Sequence, residues 1–231
     1  EGLYDMNTLV GTHPNTEPDV EVGMDDPVRF QYTGGTTGVP KGCVLTNKMV
    51  YTMGLRTALW TTKNYTMVAE EDVRTLAAVP FNHVYGFNAN VGLNLCAGGS
   101  IVCVPQPKPD ALLAEIVKNK PNIWASVPAM LIGLLSTPQV KAGEADITSL
   151  KGVFCGSAPC PVAVMEQFEA LTGAKIVEGY GMSETSNILT INPVHVRKAG
   201  SVGICIPDTD LVVVDAATGT KIMPLGETGE L

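Results

Sequence analysis

The sequence predicts an α/β fold, in which parallel-rich βα sheet subdomains are followed by the start of a small β-rich subdomain. Three observations lead there. From residue 28 onward, short β-branched or apolar runs alternate with helical stretches, the mark of βα units around a largely parallel sheet. Glycine-rich turns stand at the ends of several of these runs, where open α/β sheets bind ligands. Past Asn192 the rhythm changes to short runs and turns with no helix between them.

The elements follow in order. Residues 28–32 form the first strand, and Thr46 caps a helix running toward Trp60. A strand is expected at 75–79. The apolar window 84–104 is interrupted by Asn88, Asn90, Asn94, Gly98 and Gly99, so it is too polar to cross a bilayer. It reads instead as a buried helix followed by a strand at 100–104. Within 110–118, Leu112, Leu113, Ile116 and Val117 recur on one helical face, with Asp110 placed to cap and Pro121 to stop the helix. Strands are expected at 122–126, 152–155 and 175–178. Pro128 opens one helix, and Pro161 sits in the first turn of another that ends before Gly173. Residues 210–215 alternate as a strand, 217–221 turn, and 227–231 begin a further strand. The expected division is 1–70 as part of a first βα subdomain, 71–198 as a second, and 199–231 as an incomplete β-rich subdomain.

The chain has 231 residues, of which 45% are apolar and 16% charged, enough for a substantial core and without the bias of disorder. A net charge of -8 argues against a nucleic-acid partner, so any bound polyanion must be held by local contacts. Cys43, Cys96, Cys103, Cys155, Cys160 and Cys205 are scattered, with neither metal-ligand nor disulfide spacing, and read as reduced thiols of a cytoplasmic protein. The N-terminus has no initiator Met, basic region or apolar region, so the chain is expected to be cut at both ends.

Four segments carry chemistry. Tyr32 to Gly42 packs Gly34, Gly35 and Gly38, the hydroxyls of Thr33, Thr36 and Thr37, and the cation of Lys41 into one turn, which suits phosphate. Its spacing is not that of a nucleotide P-loop, because Pro40 separates the last loop glycine from Lys41. A solvated Gly/Thr hairpin is the plain alternative. The run Glu178, Gly179, Tyr180, Gly181, Met182, Ser183, Glu184, Thr185 offers an aromatic face for a purine, hydroxyls for phosphate or carboxylate oxygens, and a carboxylate suited to Mg²⁺. A βα turn capped by Ser183 would look the same. Gly156, Ser157, Ala158 and Pro159 end another expected strand, where small residues also serve tight packing. Pro80 to Phe87 contains His83, which in isolation reads equally as a structural histidine.

Together these segments resemble the adenylate-forming superfamily of acyl-CoA synthetases, luciferases and peptide-synthetase adenylation domains. The Gly34–Gly35 pair is most similar to long-chain fatty-acid CoA ligases. Gly200 to Gly203 and Gly226 to Leu231 resemble later landmarks of the same family. The resemblance implies a fragment of the large N-terminal domain of a ligase that uses ATP, Mg²⁺ and CoA to activate a carboxylic acid. It implies that Thr33, Gly34, Gly35, Thr36, Thr37, Gly38 and Lys41 hold phosphate, and that Gly156, Ser157, Ala158, Gly179, Tyr180, Gly181, Met182 and Ser183 hold the nucleotide. Ser183, Glu184, Lys41 and His83 take catalytic roles, Glu184 holds the metal, and His83 and Phe87 meet the acid. The family's ribose-binding aspartate and lid lysine are expected beyond Leu231. Substrates other than a long-chain fatty acid, namely an aryl or medium-chain acid, stay open, as does a noncatalytic nucleotide-binding module. Peripheral membrane contact through a lipid substrate and a homodimer are further expectations.

Overall fold

The computed structural model describes residues 4–33, 39–64 and 67–231. A short helix, α1 (Met6–Thr12), capped by Asp5 onto Thr8 N at 2.8 Å, buries no residue. It leads to an antiparallel hairpin of β1 (Pro27–Thr33) and β2 (Lys41–Thr46), in which Thr33 faces Lys41 and Phe30 faces Val44. Lys41 and Gly42, expected in the turn, therefore open a strand that the sequence reading did not assign. Residues 34–38, the centre of the glycine-threonine turn, lie outside the described residues.

Thr46 caps α2 (Asn47–Leu59), as its hydroxyl predicts, and the helix runs on into a π-helical turn at Trp60–Asn64. The main sheet follows. Its strands are β3 (Arg74–Ala77), β4 (Ser100–Cys103), β5 (Ile123–Ser126), β6 (Gly152–Cys155), β7 (Lys175–Met182), β8 (Asn187–Ile191) and β9 (Ile204–Cys205), in the order β4-β3-β5-β6-β7-β8-β9. The first five of that order are parallel neighbours and the last two pairs are antiparallel.

The connections between parallel strands are helical, as parallel pairing demands. Between β3 and β4 lie α3 (Val84–Gly86), a π-helical stretch Phe87–Gly92 and α4 (Leu93–Ala97). Helix α5 (Pro109–Asn119) follows β4, α6 (Pro128–Leu135) and α7 (Pro138–Lys141) follow β5, and α8 (Val162–Thr172) follows β6. Both faces are covered, which is why all four residues of β5 and of β6 are buried. On one face Trp124 packs with Leu112, Ile116, Leu131, Leu134, Met165 and Phe168, its ring 6.1 Å from that of Phe168. On the other, Ile123, Phe154 and Val177 meet Met53, Ala58 and Leu93. Each large side chain so buried contributes about 2 kcal/mol.

Local details depart from expectation. Asp110 lies in the first turn of α5 and Lys108 is its N-cap, because Pro109 occupies the first helical position, where its missing N–H costs nothing. Pro161 likewise is the N-cap of α8 and stands outside its first turn, with an extended ψ of 131°. The helix ends are as read: Lys120 and Gly173 take left-handed conformations after α5 and α8. The strand expected to stop at Glu178 continues to Met182, since β8 pairs with its second half. Beyond β9, 210–215 and 227–231 form only the bridges Val214–Ile222 and Val214–Glu230. All six cysteines are free, and among the described residues no helix is long and apolar enough to cross a membrane.

Candidate functional site

Parallel strands β6 and β7 are in register, Cys155 opposite Glu178, so the residues that follow each emerge side by side. A Cβ built on Gly156 would lie 3.9 Å from the Gly179 carbonyl oxygen. Between the two segments opens a cavity of about 440 Å³, lined by Gly156, Ser157, Gly179, Tyr180, Gly181, Met182, Ser183 and Glu184. His83, at the far side of the sequence, reaches the same wall from the end of β3, and Thr33 reaches it from the hairpin. Segments as far apart in sequence as Thr33 and Glu184 thus meet at the C-terminal ends of the parallel strands.

Three expected site residues stand off this wall. Lys41 is the first residue of β2 and its carbonyl receives the Thr33 hydroxyl at 3.4 Å. As cross-strand partner of Thr33 it leaves the hairpin on the same face, beside the cavity rather than in it. Ala158 follows Ser157, whose φ is 66°, and does not line the cavity. Phe87 is engaged elsewhere: the Arg29 guanidinium lies 4.6 Å over its ring and donates to Phe81 O at 3.0 Å.

The loop after β7 is built by close backbone approach. Gly181 sits where β7 and β8 shift register, and a Cβ there would overlap the Asn187 carbonyl. At Gly179 a Cβ would fall 2.9 Å from Thr190 O. These glycines therefore serve the β7–β8 pairing, and Tyr180 between them, 36% exposed as a residue, lines the cavity. The turn Ser183–Thr185 is stitched by the Thr185 hydroxyl, which accepts from Met182 N at 3.3 Å and donates toward Met182 O at 3.1 Å. The hairpin packs against this turn, and the Glu184 charge helps hold the Cys43 thiol of β2 above its ordinary range, after burial.

His83 is the N-cap of α3, its Nδ1 accepting from Tyr85 N at 3.2 Å. Partial burial, and then the Arg29 charge, hold its pKa below the ordinary histidine value. The neutral ring consequently carries its hydrogen on Nε2, available as a donor.

Three residues of the site were not read from sequence. Tyr85 is buried on the cavity wall, its hydroxyl lying 2.8 Å from Phe154 O and 3.1 Å from Ser126 O, so it ties the ends of β5 and β6; burial drives its pKa well up. Glu178 is 7% exposed, and its carboxylate accepts from Cys160 N at 3.2 Å and Gly200 N at 3.0 Å, fixing the segment after β6. Arg29 brings a cation to Phe87. The only sequence signal for it was the alternation of Arg29, Gln31 and Thr33 on one face of β1.

The sequence model of the AMP-binding enzyme family matches residues 3–231. A long-chain-fatty-acid–CoA ligase of Bacillus subtilis (strain 168) is 36% identical over 221 residues, which is 95% of this chain and 37% of the relative. A 4-coumarate–CoA ligase 2 of Nicotiana tabacum is 28% identical over 238 residues, covering 100% of this chain and 43% of the relative. The crystal structure of ATP-bound MatB from Rhodopseudomonas palustris superimposes with a TM-score of 0.81 at 27% identity, over 96% of this chain and 42% of that one. The chain thus spans less than half the length of each of these proteins.

Proposed function

Because this chain belongs to the AMP-binding enzyme family, we propose that its cavity holds the adenylate in an ATP-dependent activation of a carboxylic acid, which the complete protein finishes as a CoA thioester. The observation that carries the proposal is the meeting of Gly156, Ser157, Tyr180, Ser183 and Glu184 around one cavity of about 440 Å³, within the size range of small-molecule sites.

In this chemistry a carboxylate oxygen attacks the α-phosphorus, the bond to pyrophosphate breaks, and an acyl-adenylate forms. No protein nucleophile is required, so the residues work by position and charge. Tyr180 offers its ring to the base, with the backbone of Gly156 and Ser157 beside it. Ser183 donates a hydroxyl to the α-phosphate or the acid, and Thr33, Lys41 and the glycine-threonine turn hold the departing phosphates. His83, neutral and donating from Nε2, orients the acid. It does not act as a base, because the acid is already ionised. Phe87 borders the acyl path. Glu184 suits a magnesium ion: it is an exposed carboxylate on the cavity wall, and such ions take one or two carboxylates with phosphate oxygens and water. When bound, that ion offsets charge on the phosphates.

A long-chain fatty acid is the favoured substrate, supported by the Bacillus subtilis relative and by the apolar segment 84–95. An aryl acid is the second reading, favoured by the match to the Nicotiana tabacum ligase along the whole chain. Acid-dependent exchange of pyrophosphate into ATP by the complete protein distinguishes them. The expected result is highest exchange with aliphatic acids of long chain, falling for short and aryl acids, and a preference for amino acids overturns the proposal. Residues 1–231 alone are expected to bind ATP weakly and to show little exchange.

A further inference from the structure

Asn88 has no role in the chemistry just described, yet it is fully buried between the two halves of the site. It lies in the π-helical stretch Phe87–Gly92, directly after the helix that His83 caps. From there its Nδ2 donates to the Ser186 carbonyl at 2.7 Å and more weakly to Val84 O at 3.3 Å. Ser186 immediately follows the Ser183–Thr185 turn and is left-handed, with φ 60° and ψ 20°, and Asn187 after it has φ 126°. Two consecutive non-glycine residues at positive φ persist only where their surroundings hold them. Ser186 N to Ser183 O at 3.2 Å and the Thr185 hydroxyl to Asn187 O at 3.3 Å act within the turn itself. The Asn88 bond comes from outside and refers the turn to the helix of His83 and Phe87. A π-turn widens the helix locally and moves a side chain out of the α register, which is why such turns recur at functional sites.

We infer that Asn88 is a positioning residue for Ser183 and Glu184, setting the turn that meets phosphate and metal at a fixed distance from the acid side of the site. This inference rests on the function proposed above. Asn90 supplies the internal comparison: it is equally buried in the same stretch, but its Nδ2 bonds Gly86 O at 2.9 Å within its own helix.

The test compares Asn88→Leu and Asn88→Ser with Asn90→Leu and Asn90→Ser in the complete protein, by acid-dependent pyrophosphate exchange. Both Asn88 variants are expected to need about tenfold more Mg²⁺ for half-maximal exchange and to raise the KM for ATP about tenfold, with the KM of the acid changed less than about twofold. The Asn90 variants are expected to lower thermal stability without moving the Mg²⁺ or ATP dependence. Should the leucine variants not fold, the smaller serine pair makes the same comparison. Equal behaviour of the two positions in a protein whose wild type exchanges pyrophosphate overturns the inference alone. A wild type that exchanges with no acid overturns the function on which it rests.

Discussion

Replacing Glu184 with Gln in the complete protein is expected to lower acid-dependent pyrophosphate exchange by about 10²- to 10³-fold while changing stability by no more than about 0.5 kcal/mol. The asymmetry follows from where the carboxylate stands. Glu184 is exposed on the cavity wall and, among the described residues, no ion pair engages it, so folding gains little from its charge. Glu184 nevertheless belongs to the turn against which the hairpin packs, where the phosphates are proposed to lie. Gln keeps the length and the hydrogen-bonding oxygen but removes the charge that a divalent ion requires. Exchange measured across Mg²⁺ concentrations, beside thermal unfolding of both proteins, checks the prediction. Loss of exchange together with loss of fold would assign Glu184 a structural role instead.

Gly181→Ala is expected to do the reverse and strike the fold, destabilising the chain by about 3 kcal/mol. A methyl group at 181 would occupy the space of the Asn187 carbonyl at the irregularity where β7 and β8 change register. Since Asn187 and Ser186 already sit at positive φ, the partner strand cannot retreat without losing the Ser183–Thr185 turn. Denaturant unfolding of this chain with and without the substitution measures the effect. A substitution with no such overlap, Gly156→Ala, is the control: its Cβ would meet the Tyr85 ring at 3.6 Å and the Gly179 carbonyl oxygen at 3.9 Å, both ordinary contacts.

The parallel strands were legible because both faces of the sheet are covered: β5 and β6 are wholly buried, so short continuous apolar runs mark them plainly. The strands β8 and β9 were not, since Asn187–Ile191 is five residues long and follows a turn of polar residues, and Ile204–Cys205 is two residues long with both exposed. The hairpin was not legible for a different reason. Alternation in β1 separates Val28, Phe30 and Tyr32 from Arg29, Gln31 and Thr33, but period two does not say which set faces inward. In the structure the apolar set is exposed, Phe30 at 66%, while Gln31 is buried.

The site divides along the same line. Tyr180, Ser183 and Glu184 could be read from one contiguous run, and the register of β6 against β7 brings Gly156 and Ser157 to them. Arg29, Tyr85 and Glu178 act through hydrogen-bond partners 52, 41 and 69, and 18 and 22 residues away respectively, and no local pattern encodes such distances. Phe87, expected at the acid from the family resemblance, also carries on its ring a guanidinium from the hairpin, a contact that no local pattern signals.

The central claim is that the cavity at the ends of β6 and β7 receives the adenylate. Titration of AMP into this chain, followed through its backbone amide resonances, tests it directly, because the method detects weak binding and locates it. Saturable shifts are expected at Gly156, Ser157 and from Gly179 to Ser183. Shifts confined to another surface, such as the groove of Arg74, Lys120 and Lys151 at the opposite ends of these strands, would contradict it.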